Sequence, residues 1–270
     1  MTLKLLLLQA RRATDPARRE ERVSFAKRLR VPLDAIVPHD LLQGPPSLDL
    51  VKAHRAVLIG GSGEFDVSKR NLPHFDATLQ RLREITDLGL PMFASCFGFQ
   101  LMVQALGGNI VNDPETTEIG TFPIYLTEEA RNDELFSILP DEFLAQLGHK
   151  ERAETMPRGV ITLAFSDKVA HEALRIPGKP IWATQFHPEL DLEDHLVRFR
   201  RYLHIYAHLF SEEEIEEMLA SFKPSPETEK LLPRFMEIVC APYDIPCNQP
   251  DFWAEAKVVA EGPVVPESET

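Results

Sequence analysis

Three stretches in the first hundred residues are apolar without alternation: the leucines 5–8, AVLIGG at 56–61 and PMFAS at 91–95. A strand that is apolar at every position is buried on both faces, which points to a parallel sheet with helices above and below it. Between these runs the spacing turns helical, over 16–30 and 74–88. An apolar helix over 97–106 is stopped by Gly107 and Gly108. After Gly120 the texture changes. TFPIYL, EFLAQL, GVITLAF, HEALRI and PIWATQF are short strand-like runs divided by turns, and they predict an antiparallel extension of the sheet. A helix over 190–209 follows, and SEEEIEEMLA at 211–220 opens another with Ser211 as N-cap. The expected fold class is therefore α/β, a doubly wound, mostly parallel sheet with helices on both faces and an antiparallel extension. The expected division is one domain over 1–209, an acidic helical appendage over 210–240, and a proline-rich tail over 241–270. In that tail Pro242, Pro246, Pro250, Pro263 and Pro266 argue against a compact fold.

Composition narrows the class. An apolar fraction of 44% and a charged fraction of 26% in 270 residues are those of a soluble globular protein, and no apolar run is long enough to span a membrane. The opening MTLKLLLLQARR reads as a buried first strand rather than a secretion signal, since its apolar core is four leucines with Lys4 before them. Three cysteines make a disulfide framework unexpected and a reducing cytoplasm the default setting. The net charge of −13 belongs to the end of the chain: residues 211–270 hold 14 of the 42 acidic residues but only 4 of the 29 basic ones. That distribution excludes the basic footprint of a nucleic-acid binder. One basic cluster, Arg11, Arg12, Arg18, Arg19, Arg22, Lys27, Arg28 and Arg30, is interleaved with Asp15, Glu20 and Glu21. It reads as a solvated helix face, or as a docking surface for an acidic partner; the acidic tail of the same chain is one such partner.

The candidate chemistry begins at Ala94-Ser95-Cys96-Phe97-Gly98. Cys96 lies at the carboxyl end of a strand, where doubly wound sheets bind ligands. Small residues two before and two after it are what a strained strand-to-helix turn requires. The helix that starts there directs free N–H groups at the sulfur, a setting that stabilises a thiolate, and the Phe97 amide is placed to donate to an oxyanion. The alternative is a buried structural cysteine. Cys240 and Cys247 have neither metal-ligand spacing nor a histidine beside them and receive no role. A thiol nucleophile needs an imidazole, and the imidazole an orienting carboxylate. In PIWATQFHPEL, His187 and Glu189 are two apart in extended chain, and so on one side of it; Pro188 disfavours helix at His187. By itself His-Pro-Glu could be a surface turn; together with the elbow it suggests a Cys-His-Glu triad. His39, His54, His74, His171, His195, His204 and His208 have no comparable context. The glycines of LIGGSGEFDV can form a tight turn or approach a ligand closely, but the residues of a phosphate loop or dinucleotide fingerprint are absent. Beside Cys96, the Gly61 N–H is the choice for a second oxyanion donor. No cofactor or metal is called for.

In this order GGSG, Cys96-Phe97-Gly98-Phe99-Gln100 and Phe186-His187-Pro188-Glu189 resemble the class I (triad) glutamine amidotransferases, over roughly residues 3–205. Residues 118–143 and 159–176 look like the stand-alone branch, similar to the amidotransferase domain of GMP synthase. The resemblance implies a flavodoxin-like class I glutamine amidotransferase fold. It also implies hydrolysis of the glutamine side-chain amide through a γ-glutamyl thioester on Cys96, with His187 moving protons. Gln100 matches a position that contacts the bound glutamine. Ammonia would then go to a separate synthetase subunit or be released. The rival readings are a hydrolase of γ-glutamyl conjugates with the same triad and a non-catalytic binding protein on the same fold. Where the stand-alone branch often has Trp-His-x-Asp, this chain has Leu147-Gly148-His149-Lys150-Glu151.

Overall fold

The computed structural model describes residues 3–206 and 210–243. In chain order the strands are β1 (Leu5–Gln9), β2 (Ile36–Asp40), β3 (Ala56–Ile59), β4 (Met92–Ser95), β5 (Asn109–Asn112), β6 (Glu118–Leu126), β7 (Glu142–His149), β8 (Glu151–Thr155), β9 (Ile161–Phe165), β10 (Ala173–Arg175) and β11 (Ile181–Thr184). The helices are α1 (Ala17–Leu29), α2 (Leu48–Lys52), α3 (Phe75–Leu88), α4 (Phe97–Ala105), α5 (Leu192–Arg201), α6 (Leu203–Tyr206), α7 (Glu212–Ser221) and α8 (Leu231–Cys240).

Nine of these strands form one sheet in the order β2-β1-β3-β4-β11-β10-β9-β6-β7, while β5 and β8 pair separately. From β2 to β11 every pairing is parallel; from β11 to β7 every pairing is antiparallel. The expected mostly parallel core with an antiparallel extension is thus present, with one refinement. PIWATQF, read among the runs of the extension, supplies β11, which lies parallel to β4 and closes the parallel block.

The unbroken apolar runs serve two cores. Leu5, Leu7, Leu58, Phe93 and Trp182 pack on one face with Phe25 and Leu29 of α1. Leu6, Leu8, Val57, Ile59, Met92, Ala94, Ile181 and Ala183 pack on the other with α3 and α4. Successive strand side chains point to opposite faces, so a strand covered on both sides must be apolar throughout. Helix α8, from the segment read as an appendage, buries Leu231, Leu232, Phe235, Met236 and Val239 in the first of these cores. The Phe235 ring meets Phe93 at 5.7 Å and Trp182 at 6.2 Å, edge-on in both cases.

The helix expected over 190–209 is α5, capped by Asp191, whose side chain accepts the Asp194 amide, and then interrupted at Tyr202. Ser211 does cap α7, reciprocally with Glu214. The basic cluster is not simply a solvated face. Lys27 and Arg28 pair with Asp191, and Arg28 reaches Glu229 of the acidic segment at 2.5 Å. Arg11 and Glu21 are buried altogether. Cys240, which the sequence assigns no role, is buried in α8 and disulfide-bonded, although the cysteine count makes a disulfide framework unexpected; Cys247 and His208 lie outside the described residues.

Candidate active site

Cys96 joins β4 to α4 with φ 51° and ψ −104°. Such a conformation costs about 1–3 kcal/mol and persists only where the surroundings enforce it. Here the Cys96 amide donates to Thr184 O at 2.7 Å, tying the elbow to β11, and the Gly98 amide donates to Gly60 O at 3.2 Å, tying it to the end of β3. A Cβ at Gly98 would stand 2.8 Å from Ile59 O, so only glycine allows α4 to begin this close to β3. The thiol of Cys96 is free and 5% exposed.

His187 follows β11, and its amide donates to Gln146 O at 2.9 Å. Its Nδ1 lies 2.7 Å from Glu189 Oε1, and the ring also hydrogen bonds to Cys96. Burial alone would pull the imidazole's pKa down; the Glu189 carboxylate and the Cys96 sulfur outweigh it and hold the value up at about 10. Burial likewise works against the Glu189 carboxylate, which His187 and Arg198 nevertheless keep below its usual range. The strands meet at Gly61. A side chain starting there would begin 3.1 Å from His187 Cε1, 3.5 Å from Arg11 Nη2 and 3.9 Å from Cys96 Cβ. Cys96, Gly61, Phe97, Gln100 and His187 all line one cleft at the carboxyl ends of the parallel strands.

Its back wall is built from the start of the chain. The Glu21 carboxylate, wholly buried, accepts from Gln9 Nε2 at 2.9 Å, Arg11 Nε at 3.1 Å, Arg11 Nη2 at 2.9 Å and the Gly61 amide at 3.0 Å. Burial opposes the Arg11 cation, but Glu21, Tyr202 and Asp15 more than compensate and raise its pKa. One expectation needs correcting here. The Gly61 N–H donates to Glu21, because a buried carboxylate must collect donors, and so does not stand free for an oxyanion. With the Gly98 amide given to Gly60 O and the Gln100 amide to Cys96 O, the Phe97 amide is the first-turn donor adjacent to Cys96 in the chain that is not given to either. Gln100 is buried, and its Nε2 donates to Glu151 O at 3.1 Å and to Gln185 Oε1 at 3.2 Å.

Residues 35–202, more than half of the chain, match the family model for glutamine amidotransferase class-I. The chain belongs to that family. Among the relatives of this chain is a glutamine-hydrolyzing GMP synthase subunit from Methanocaldococcus jannaschii, 38% identical over 101 residues, which are 37% of this chain and 52% of the relative. A glutamine-hydrolyzing GMP synthase of Prochlorococcus marinus is 29% identical over 136 residues, 50% of this chain and 24% of that one. The chain thus matches about a quarter of the length of the full GMP synthases. In fold it is similar to a glutamine amidotransferase of Thermotoga maritima, with a TM-score of 0.65 at 17% identity, covering 88% of this chain and 97% of the other. A glutamine amidotransferase of Methylobacillus flagellatus gives 0.61 at 18% identity, over 94% and 96%.

Several residues at the cleft carry no motif. His195, without context in the sequence, is buried beside His187: its ring centre lies 6.3 Å from that of His187, and its Nδ1 is 2.8 Å from Gln146 Oε1. Burial, then the charges of His187 and Arg198, hold its pKa well below the usual value. A signal existed, since His195, Arg198 and Phe199 of α5 and its C-cap Tyr202 are spaced as one helical stripe and all line the cleft. Arg11 and Glu21 left no such signal. The Leu147–Glu151 departure now has an account: Leu147 is core, and the Glu151 carboxylate accepts the amides of Val67 and Ser68 at 2.7 and 3.0 Å, pinning the loop after the glycines.

Proposed function

We propose that this chain hydrolyses the side-chain amide of glutamine, with Cys96 as nucleophile, His187 as acid and base, and Glu189 as the group that orients His187. The single observation that carries the reading is the convergence of His187 Cε1, Arg11 Nη2 and Cys96 Cβ within 4 Å of one point at the strand ends. The Cys96 sulfur adds to the amide carbon, and the Phe97 amide donates to the oxyanion that forms. Collapse breaks the C–N bond, His187 gives its proton to the departing ammonia, and a γ-glutamyl thioester remains. His187 then takes a proton from water as it attacks the thioester, which releases glutamate and restores Cys96.

The electrostatics support the order of these steps. The Cys96 sulfur is one of the groups that hold the His187 imidazolium. Once acylated, the sulfur no longer supports the charge, so the imidazolium becomes a stronger acid as the leaving group needs a proton. Neutral imidazole is then present when water must be activated. By likeness to the Methanocaldococcus relative, which is one subunit of its GMP synthase, the ammonia would pass to a separate synthetase subunit.

The test is release of glutamate and ammonia by the purified full chain, beside Cys96→Ser. Turnover that the substitution abolishes is the expected result. If the protein is silent yet a glutamine-like electrophile adds its mass at Cys96, the nucleophile is live and the substrate is a different γ-glutamyl compound. An unreactive Cys96 in the folded protein would sink the reading and favour a binding protein.

A further inference from the structure

Beside the cleft, three buried side chains converge from elements far apart in the chain. Glu118 opens β6, His149 closes β7 as its cross-strand partner, and Glu172 directly precedes β10. They are 1%, 4% and 0% exposed. One ligand atom from each lies within 4.8 Å of the others; His149 Nε2 is 3.2 Å from Glu118 Oε2 and 3.8 Å from Glu172 Oε1.

The hydrogen-bond arrangement at this cluster leaves a place for a positive ion. His149 Nδ1 is 3.1 Å from the Glu151 carbonyl oxygen, which can only accept, so Nδ1 carries the hydrogen and donates it. The lone pair of the neutral ring is then on Nε2, and Nε2 faces two carboxylates. Among the described residues no well-directed hydrogen bond reaches Glu118 Oε2, His149 Nε2 or either oxygen of Glu172, which buried polar atoms seldom tolerate. The contacts that do join Glu118 to His149, Ser166 and Glu172 leave two acids facing one another. A ring nitrogen fixed by an Nδ1–H···O=C bond, with the other nitrogen turned to a cluster of acids, is how metal-binding histidines are oriented. Two carboxylates and a neutral imidazole balance the charge of a divalent ion. One nitrogen with oxygens is a zinc set, whereas calcium and magnesium take oxygen ligands and keep waters.

We propose that Glu118, His149 and Glu172 bind a divalent zinc-like cation that fastens β6, β7 and β10 together beside the nucleophile. The ion is structural and takes no part in the chemistry at Cys96, so the proposal stands whether or not glutamine is the substrate.

Full-length protein stripped with a chelator and then titrated with Zn2+ against a competing indicator should take up one ion per chain at about micromolar Kd or tighter. Glu118→Gln and Glu172→Gln keep side-chain shape and each should weaken uptake by at least about tenfold. Cys96→Ser should retain the stoichiometry, which separates this site from zinc held at the cleft. Should the Gln variants fail to fold, wild-type crystals soaked in Zn2+ and measured on both sides of the zinc absorption edge should show one anomalous peak between the three side chains. No uptake, uptake lost in Cys96→Ser but kept in Glu172→Gln, or no peak there would overturn the proposal, and protons shared among the three groups would then account for the cluster.

Discussion

The cleft is flanked by two buried histidine–carboxylate clusters that hold the same ring nitrogen with different acceptors. His187 gives Nδ1 to Glu189, two residues on, and turns the rest of its ring toward Cys96 and the cleft. His149 gives Nδ1 to a backbone carbonyl and turns Nε2 inward against two acids delivered by separate strands. The residue types are the same. Nδ1 is the held nitrogen in both, so what holds it and what the rest of the ring faces decide the chemistry. Held by a carboxylate beside a thiol, the ring suits proton transfer; held by a carbonyl before two acids, it suits capture of a positive charge.

The sharpest way to break that contrast is to delete each ring in turn. His187→Ala should cut glutamine turnover by at least about 10³-fold, the scale of losing a member of a triad. His149→Gln should cost less than about tenfold in turnover per folded molecule while lowering the thermal midpoint. Equal losses of turnover would erase the distinction. Glu21, another buried carboxylate, paired with an arginine instead of a histidine, tests whether such a group is structural. Glu21→Ala leaves buried Arg11 with Asp15 and Tyr202 as partners and strips an acceptor from Gln9 and Gly61. It should destabilise by about 3 kcal/mol in a denaturant titration.

The next effect is a pH window. Because the His187 pKa is raised in the fold from 6.5 to about 10, its share of stability is fully present below pH 6.5 and is lost as pH rises through about 10. Glu189→Gln removes the first of the charges that sustain the shift. Thermal midpoints of the two proteins should therefore differ most near pH 6.5 and converge as pH climbs past 10; a gap that widens with pH would contradict the assignment. The smallest effect lies remote from both clusters. Ser211→Ala removes the reciprocal cap of α7 and should cost about 1 kcal/mol in the same titration, with turnover unchanged.

What could be read in the sequence was what is local. The elbow showed because Ala94 and Gly98 bracket Cys96, and the His187–Glu189 pair because two residues in extended chain share a side. The parallel block showed because strands covered twice are apolar throughout. Strand β2 did not show, since IVPHD is an edge strand whose Pro38 and polar positions look like loop. Nor did β5 and β8, NIVN and ERAET, whose polar positions hide a two-stranded pairing. The Gly61 amide was misassigned because its acceptor, Glu21, lies 40 residues away in the chain. The Glu118–His149–Glu172 cluster stayed hidden for the same reason. Helix α8 had a legible apolar stripe at 231, 232, 235, 236 and 239, but acidic and proline-rich neighbours drew attention from it.

The place of Phe235 against Phe93 and Trp182 also sets an order of events during folding. The strands carrying those two rings are complete once residue 184 is made, yet the helix that covers them arrives only at 231–240. Until it docks, a wide aromatic surface of the sheet faces water. Self-association of the growing chain, before residues 231–240 are made, will therefore concentrate on that surface.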